Sequence, residues 1–368
     1  MRIGPKCALH PHPVLSETAK VAARKMAFID VLRGLAAVLV YVFHQQIHTF
    51  IGYPEKPIPQ GSLTWWFFLG AIDLGKIAVA VFFCVSGYLI PSTLTKPGAT
   101  VRDFTIHRVF RLYPAYWVSI ASRLVALVAL GMTANLPSAF NLVANITMFQ
   151  KFIGQQDMIG VFWTLQIELV FYIVAAALAW RKLLTFRWPI QLTMMLLTLI
   201  CAAGRFVTHK PLPVAMFMAM SLMWMADTLR ASERGEATTA AVIRAVISMV
   251  IMLIPASLLG YGDEGVRYIT SYLLAIGIFV FCWAKRAAFE KSNILMRVLG
   301  WLGDWSYGIY LMHGTLLILI AEPLKKLTNN VWLTTAGTLP LLLLTSWLLY
   351  RFVEAPMIRI GKQLTKRA

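Results

Sequence analysis

Pro340-Leu-Leu-Leu-Leu-Thr-Ser-Trp-Leu-Leu-Tyr350 decides the fold class. Its apolar residues do not alternate with period two, so it is not a barrel strand with lipid-facing and lumen-facing side chains in turn. A helix through the hydrocarbon core takes about 20 apolar residues, and the apolar block around this run extends over 332–353. Lipid offers the backbone no hydrogen-bond partner, so a spanning segment outside a barrel must be helical. The same reading outward predicts spans near 27–47, 66–92, 108–131, 160–180, 188–207, 212–230, 240–260, 267–285 and 299–321, with 332–353 the last. The expected architecture is an all-α integral membrane protein, with about ten transmembrane helices in one bundle and both termini cytoplasmic.

The orientation comes from charge. The chain has 368 residues, 59% hydrophobic and 14% charged, against about 25% charged in a soluble domain. Its net charge of +18 raises the question of nucleic acid, and the distribution argues against it. With the N-terminus inside, 24 of the 34 Lys and Arg fall on inside segments, 7 on outside loops and 3 (Arg33, Lys76, Arg123) within spans. That is the positive-inside asymmetry of a membrane protein. Three segments are expected: a disordered cytoplasmic tail over 1–25 that includes His10-Pro-His-Pro13, a membrane domain over 26–357 and a short basic cytoplasmic tail over 358–368. The loop 132–159 is the longest outside one, with a short interfacial helix expected around Ser138–Phe149. Met216–Met225 reads as a packing surface toward lipid or another helix. Cys7, Cys84, Cys201 and Cys282 are scattered, which suits neither a disulfide frame nor a zinc site. No metal is expected.

Ionisable residues inside spans are costly and mark candidate function. The first span reads Asp30-Val-Leu-Arg33-Gly-Leu-Ala-Ala-Val-Leu-Val-Tyr-Val-Phe-His44. Arg33 and His44 are eleven apart, so they share a helix face about 16 Å apart along the axis. Asp30, three residues before Arg33, can pair with it. These positions also suit plain structural roles, with Arg33 an anchor at the membrane surface and His44 a satisfied helix contact. Glu168, in Phe162-Trp-Thr-Leu-Gln-Ile-Glu168-Leu-Val-Phe-Tyr172, falls at a depth similar to His44, where a carboxyl and an imidazole can form a base–orienter pair. The competing reading is a structural partner such as Arg123 or Lys76. Arg108 and Arg111 lie on one face at the opening of the third span and can grip phosphates, or can be an ordinary inside-facing cluster. Gly87 permits close backbone approach, and Pro91 is expected to end the second span. His313 sits in the ninth span, and Glu354 is expected to pair with Arg351 or Arg359 at the inner end.

Taken together, these segments resemble the acyltransferase 3 family of membrane acyltransferases. The matching elements are Arg33-x10-His44, Phe82-Phe-x-x-Ser86-Gly87-Tyr88-Leu89, Arg108-x-x-Arg111 followed by Leu112-Tyr113-Pro114, Trp163-x-Leu-x-x-Glu168-x-x-Phe-Tyr172, Ser306-Tyr307-x-Ile-Tyr310-x-x-His313 and Glu354-x-Pro356. Each is weak alone, and six in order from residue 28 to 356 are specific. The resemblance implies transfer of an acyl group, usually acetyl from acetyl-CoA, to a hydroxyl of an extracytoplasmic carbohydrate. Relatives act on lipopolysaccharide O-antigen, exopolysaccharide and Nod factors, and a bacterial inner membrane is implied. Some carry a C-terminal hydrolase-like domain, which a chain ending at residue 368 is expected to lack. No permanently bound cofactor is expected, acyl-CoA being a substrate.

Topology and motif placement suggest a route. Arg108 and Arg111, with Ser86 and Gly87, are the donor-binding candidates, and Arg33 lies deeper on the same path. His44 acts as general base on the sugar hydroxyl or briefly carries the acyl group, with Glu168 orienting or polarising it. Asp30, Trp163, Tyr172, Tyr307 and His313 are further site candidates, the aromatics as faces for the sugar. The carbohydrate acceptor can be lipid-linked in such a scheme. The alternatives from other classes are a polytopic transporter or flippase, which the lack of a clear inverted repeat disfavours, and a non-catalytic subunit of a polysaccharide assembly system.

Overall fold

The computed structural model describes residues 27–51, 70–290, 294–328 and 330–366, and the tail expected over 1–25 lies outside them. The described residues form helices and no strand. We number the main ones α1 (Ala27–Ile51), α2 (Leu74–Leu94), α3 (Val101–Ala129), α4 (Ala139–Thr147), α5 (Phe162–Trp180), α6 (Arg187–Thr208), α7 (Val214–Glu233), α8 (Thr239–Tyr261), α9 (Gly265–Ala284), α10 (Ile294–Leu316), α11 (Val331–Leu349) and α12 (Ala355–Lys366). By length and composition, seven stretches among them could cross a membrane: Ala27–Gln46, Leu74–Leu94, Val101–Ala129, Phe162–Trp180, Arg187–Thr208, Thr239–Ala284 and Trp332–Lys366. The chain is thus built as a multi-pass membrane protein.

α2 is the hub. It packs on α1, α7 and α9, and 78% of its spanning window is buried inside the bundle, against 28% for α6. Without a hydrophobic force between helices in lipid, close packing holds such a bundle, and small residues permit it. A Cβ on Gly87 would lie 2.0 Å from the Met223 carbonyl oxygen of α7, and one on Gly303 of α10 would lie 2.3 Å from the Asp30 carbonyl oxygen of α1. Neither position admits a side chain, so the backbones meet directly there. The Met-rich stretch of α7 is a helix-packing surface: Met218, Met220, Met223 and Met225 are buried. α8 shows the opposite face of the same physics. Ile243, Ile247, Ile251, Ile254 and Leu258 form an exposed apolar stripe at helical spacing.

Several boundaries move from those expected. The second helix begins at Leu74, where the Asp73 side chain accepts from the Lys76 amide, and residues 70–73 are not helical. Pro91 lies inside α2 rather than ending it. α3 starts at Val101, capped by Thr100, whose hydroxyl accepts from the Asp103 amide. At 29 residues it is about 43 Å long. Arg108 and Arg111 therefore sit two to three turns into it, not at its opening. The chain stays helical beyond the last span. A π-helical turn over Tyr350–Glu354 leads into α12, which continues through Lys366 and packs along α3. Pro356 lacks an amide hydrogen, and the π turn rearranges the hydrogen-bond ladder just before it.

α4 is the expected short helix of the 132–159 loop. Ser138 caps it, accepting from the Asn141 amide. Phe140, Val143 and Ile146 are exposed along it, as are Phe152 and Ile153 beyond. Buried Asn145 anchors it: its amide donates to the Gln156 carbonyl (3.0 Å), its carboxamide oxygen accepts from the Met158 amide (3.0 Å), and its backbone carbonyl accepts from the Tyr116 hydroxyl (2.7 Å). An apolar outer face over a polar anchor suits a membrane–water interface.

Candidate functional site

A cavity of about 420 Å³ runs between α1, α2, α3, α5, α10 and α12. Its α2 wall extends from Val79 to Thr93, about 21 Å at the helical rise. The wall changes character along that length. Its basic side chains come from α3 and α12, as His107, Arg108, Arg111 and Lys362 beside Ile358; its aromatic part gathers at Phe82 and Phe83, where the Tyr310 ring lies 5.9 Å from that of Phe82 and its hydroxyl hydrogen-bonds Thr164. Arg33, Ser86, Glu168, Tyr172, Ser306 and Tyr307 complete the lining.

The basic end owes its charge to helix register. Arg108 and Arg111 are one turn apart on α3 and both reach the cavity. The Arg108 guanidinium lies over the rings of Phe104 (5.3 Å) and Tyr172 (5.4 Å), a cation–π seat that holds it extended. Its Nε is buried without a hydrogen-bond partner. Among the described residues neither Arg108, Arg111 nor Lys362 is in an ion pair, while eight other Lys and Arg side chains are. Arg33 lies 3.9 Å from Asp30, at the limit of a salt bridge. Arg33, Arg111, Asp304 and Glu354 act on one another electrostatically. Glu354 is buried, and its charged neighbours are Arg111, Arg33 and Asp304 rather than the expected Arg351 and Arg359.

Glu168 does not pair with His44 as expected from their similar depth. One of its carboxyl oxygens accepts from the Ser86 hydroxyl at 2.8 Å and from the Tyr172 hydroxyl at 2.5 Å. Ser86 of α2 and Tyr172, one turn further along α5, thereby tie two cavity walls together. Nearby, the Tyr307 hydroxyl donates to the Leu112 carbonyl (2.9 Å) and the Ser306 hydroxyl to the Gly303 carbonyl (2.7 Å).

His44 is not in this wall. Its ring lies 5.0 Å from that of His313, centroid to centroid, bringing α1 and α10 together. His313 is buried with its Nε2 unpartnered. Its ring is 5.9 Å from that of Tyr310, whose hydroxyl shares a 2.5 Å hydrogen bond with Thr164. The histidine pair therefore stands one aromatic ring behind the apolar end of the cavity. Trp163 sits edge-on to Phe83 at 6.5 Å, behind rather than in the wall. Gly87 faces α7, away from the cavity, so it is a packing residue and not part of a donor-binding surface. Neither Arg123 nor Lys76 partners Glu168 as the competing reading expected: Arg123 donates to the Gly314 carbonyl (3.0 Å), and Lys76 pairs with Asp73 (2.7 Å).

Three contributors escaped the sequence reading. His107, Ile358 and Lys362 belong to segments read as loop or tail. The signal for them was an amphipathic spacing: Ile358 and Lys362 are i and i+4, and Gly361 and Thr365 are i and i+4 on the adjoining face. Among the described residues no three His, Cys, Asp or Glu side chains converge as a metal site would require.

Comparison with known proteins bears on what this cavity serves. The acyltransferase domain family matches residues 26–351. The chain is 23% identical to the peptidoglycan O-acetyltransferase OatA of Listeria monocytogenes over 94% of this chain and 58% of that protein. It is 23% identical to the exopolysaccharide production protein ExoZ of Rhizobium meliloti over 78% of this chain and 91% of that protein. It is 30% identical to nodulation protein 10 of Rhizobium leguminosarum over 42% of this chain and 44% of that protein. The chain spans between half and three-fifths of the length of curated peptidoglycan O-acetyltransferase relatives that it matches. No solved structure gives a significant match.

Proposed function

The chain belongs to the acyltransferase 3 family of membrane acyltransferases, and on that premise we propose that it moves an acyl group, acetyl in the first instance, from cytoplasmic acyl-CoA to a hydroxyl of a cell-surface or lipid-linked carbohydrate. The observation that carries this reading is the cavity graded from unpaired cations to aromatic rings. A CoA thioester has the matching polarity, with phosphates at one end, a long flexible arm and an uncharged reacting carbonyl at the other. Relatives named for peptidoglycan O-acetylation and exopolysaccharide production support a carbohydrate acceptor.

In this reading the membrane domain, 26–357, spans a bacterial inner membrane ten times with both termini inside. The 46-residue stretch Thr239–Ala284 is about 69 Å long, more than twice the core of about 30 Å, and so makes two passes as α8 and α9. α7 and α10 supply the other two. The basic end of the cavity then opens to the cytoplasm.

Arg108 and Arg111 grip the diphosphate as fork donors. Arg33 sits deeper along the path, with Asp30 at its side. Ser86, Glu168 and Tyr172 shape the cavity where the arm passes, and Tyr307 walls it on the other side. The thioester lies by Phe82, Thr164 and Tyr310. His44, with His313 against it, takes the proton of the acceptor hydroxyl as its oxygen attacks the thioester carbonyl carbon. The carbon–sulfur bond breaks, and the leaving thiolate takes a proton back from the imidazole. No charge accumulates across the cycle.

The test is acyl transfer from radiolabelled acetyl-CoA in sealed vesicles, with mass spectrometry of the host's surface polysaccharides. The expected result is a glycan heavier by one acetyl per repeat, restored by wild type and not by His44→Ala. Unchanged glycans with wild type present would overturn the reading.

A further inference from the structure

The family match stops at residue 351, yet the cavity wall continues past it. α12 contributes Ile358 and Lys362 at the basic end. Its adjoining face is fixed to α3. Gly361 lies against Phe110, with room for a Cβ only at 3.0 Å from the Phe110 Cβ, and His107 Nε2 and the Thr365 hydroxyl share a 3.0 Å hydrogen bond. α12 is therefore a packed wall, carrying one cation toward the cavity and no Asp or Glu anywhere in its sequence. Lys362 acts electrostatically on His107, while Arg33 feels Glu168 and Arg111 acts on Tyr172, the hydroxyl donor to Glu168.

We infer that α12 completes the donor site, and that Lys362, with His107 beside it, binds the phosphate monoester on the donor's ribose. The inference rests on the acyl-CoA reading above. The diphosphate occupies the arginine fork deeper in, and the ribose phosphate is the anion nearest the mouth. A phosphate monoester carries about −1.5 to −2 charges at neutral pH, and it is the one group that separates CoA from its 3′-dephospho form. Lys362 and His107 thus give this chain its preference between the two carriers, and Lys362 lies beyond the residues the family model matches.

The experiment measures binding of CoA and of 3′-dephospho-CoA to the whole protein in nanodiscs, by competition against radiolabelled acetyl-CoA. Wild type should bind CoA about ten-fold more tightly, the size of one charge-assisted contact. Lys362→Ala should bring CoA down to the 3′-dephospho-CoA value and leave the latter unchanged, and Lys362→Arg should keep the preference. Equal affinity of wild type for both carriers, or equal weakening of both by Lys362→Ala, would overturn the inference while leaving the acyl-CoA reading standing. Failure of wild type to bind either carrier would remove that reading and this inference with it. The melting temperature of Lys362→Ala in the same nanodiscs checks that α12 remains packed.

Discussion

His44 and His313 hold their rings the same way. The Nδ1 of His44 lies 2.8 Å from the Val40 carbonyl, and the Nδ1 of His313 lies 3.1 Å from the Ile309 carbonyl, each four residues back on its own helix. A carbonyl can only accept, so in both neutral rings Nδ1 carries the proton and the basic lone pair is on Nε2. Two bases of the same tautomer thus meet at 5.0 Å between ring centroids. Both rings stand outside the cavity wall, so their loss should strike the transfer step and spare donor binding. His44→Ala is expected to lower single-turnover transfer by about 100-fold or more, and His313→Asn by less, with acetyl-CoA affinity within two-fold of wild type in both. A matching loss of donor affinity would place the rings in the donor site instead.

Glu168 takes two hydroxyl donors from two different helices. Removing one leaves a partly buried acceptor short of a partner, at a cost of about 1–3 kcal/mol. Tyr172→Phe is therefore expected to lower kcat/KM by about ten-fold. Its ring still underlies Arg108, so the cation–π seat persists. Tyr172→Leu, which removes the ring as well, should in addition raise the donor KM. Steady-state kinetics on the two variants separates the effects.

Arg108 and Arg111 make no ion pair within 4 Å among the described residues, so they should answer to salt as an open anion site does. The double variant Arg108→Ala with Arg111→Ala is expected to raise the donor KM by more than ten-fold. The rise of wild-type donor KM between 50 and 500 mM salt, on the order of several-fold, should flatten in the variant. A salt dependence identical in both would place the phosphates elsewhere.

The helix contacts at Gly87 and Gly303 predict folding defects rather than catalytic ones. Gly87→Ala would drive a methyl to 2.0 Å from the Met223 oxygen, and Gly303→Ala to 2.3 Å from the Asp30 oxygen. Each should cost at or above the top of the usual range of about 1–3 kcal/mol for overpacking. Gly277, in α9, has nothing within 4 Å of its Cβ position. Gly277→Ala should be neutral, or stabilising by up to about 1 kcal/mol. Thermal unfolding of the three variants in one detergent makes the comparison.

Hydropathy made the bundle legible because lipid permits few solutions: the expected and observed limits of α5, α6 and α8 differ by two residues or fewer. It failed where polar helices leave the membrane. The first two turns of α3, including Arg102 and Asp103, and all of α12 are too polar to read as spans, yet they pack on each other and form the basic end of the cavity. Local motifs found Arg33, Arg108, Arg111, Glu168 and His44 as residues, while their partners were set by packing. Equal depth suggested that Glu168 would meet His44. Depth leaves open the direction a side chain takes around its helix, and Glu168 faces Ser86 of α2 instead. Gly87 followed the same logic in reverse, since the absence of a side chain served α7 and not a ligand.

The α2 wall of the cavity runs about 21 Å from Thr93 to Val79, room enough, on the donor reading, for the groups that hold to stand apart from the place where bonds change. On the donor reading, everything the arginines and Lys362 grasp is common to the loaded carrier and the spent one. Affinity located there is uniform binding and does not favour the forward reaction. Discharged CoA therefore competes with acetyl-CoA on nearly equal terms. Such an enzyme meters the ratio of charged to discharged carrier rather than the amount of either, and polysaccharide decoration in the cell becomes a gauge of acetyl supply.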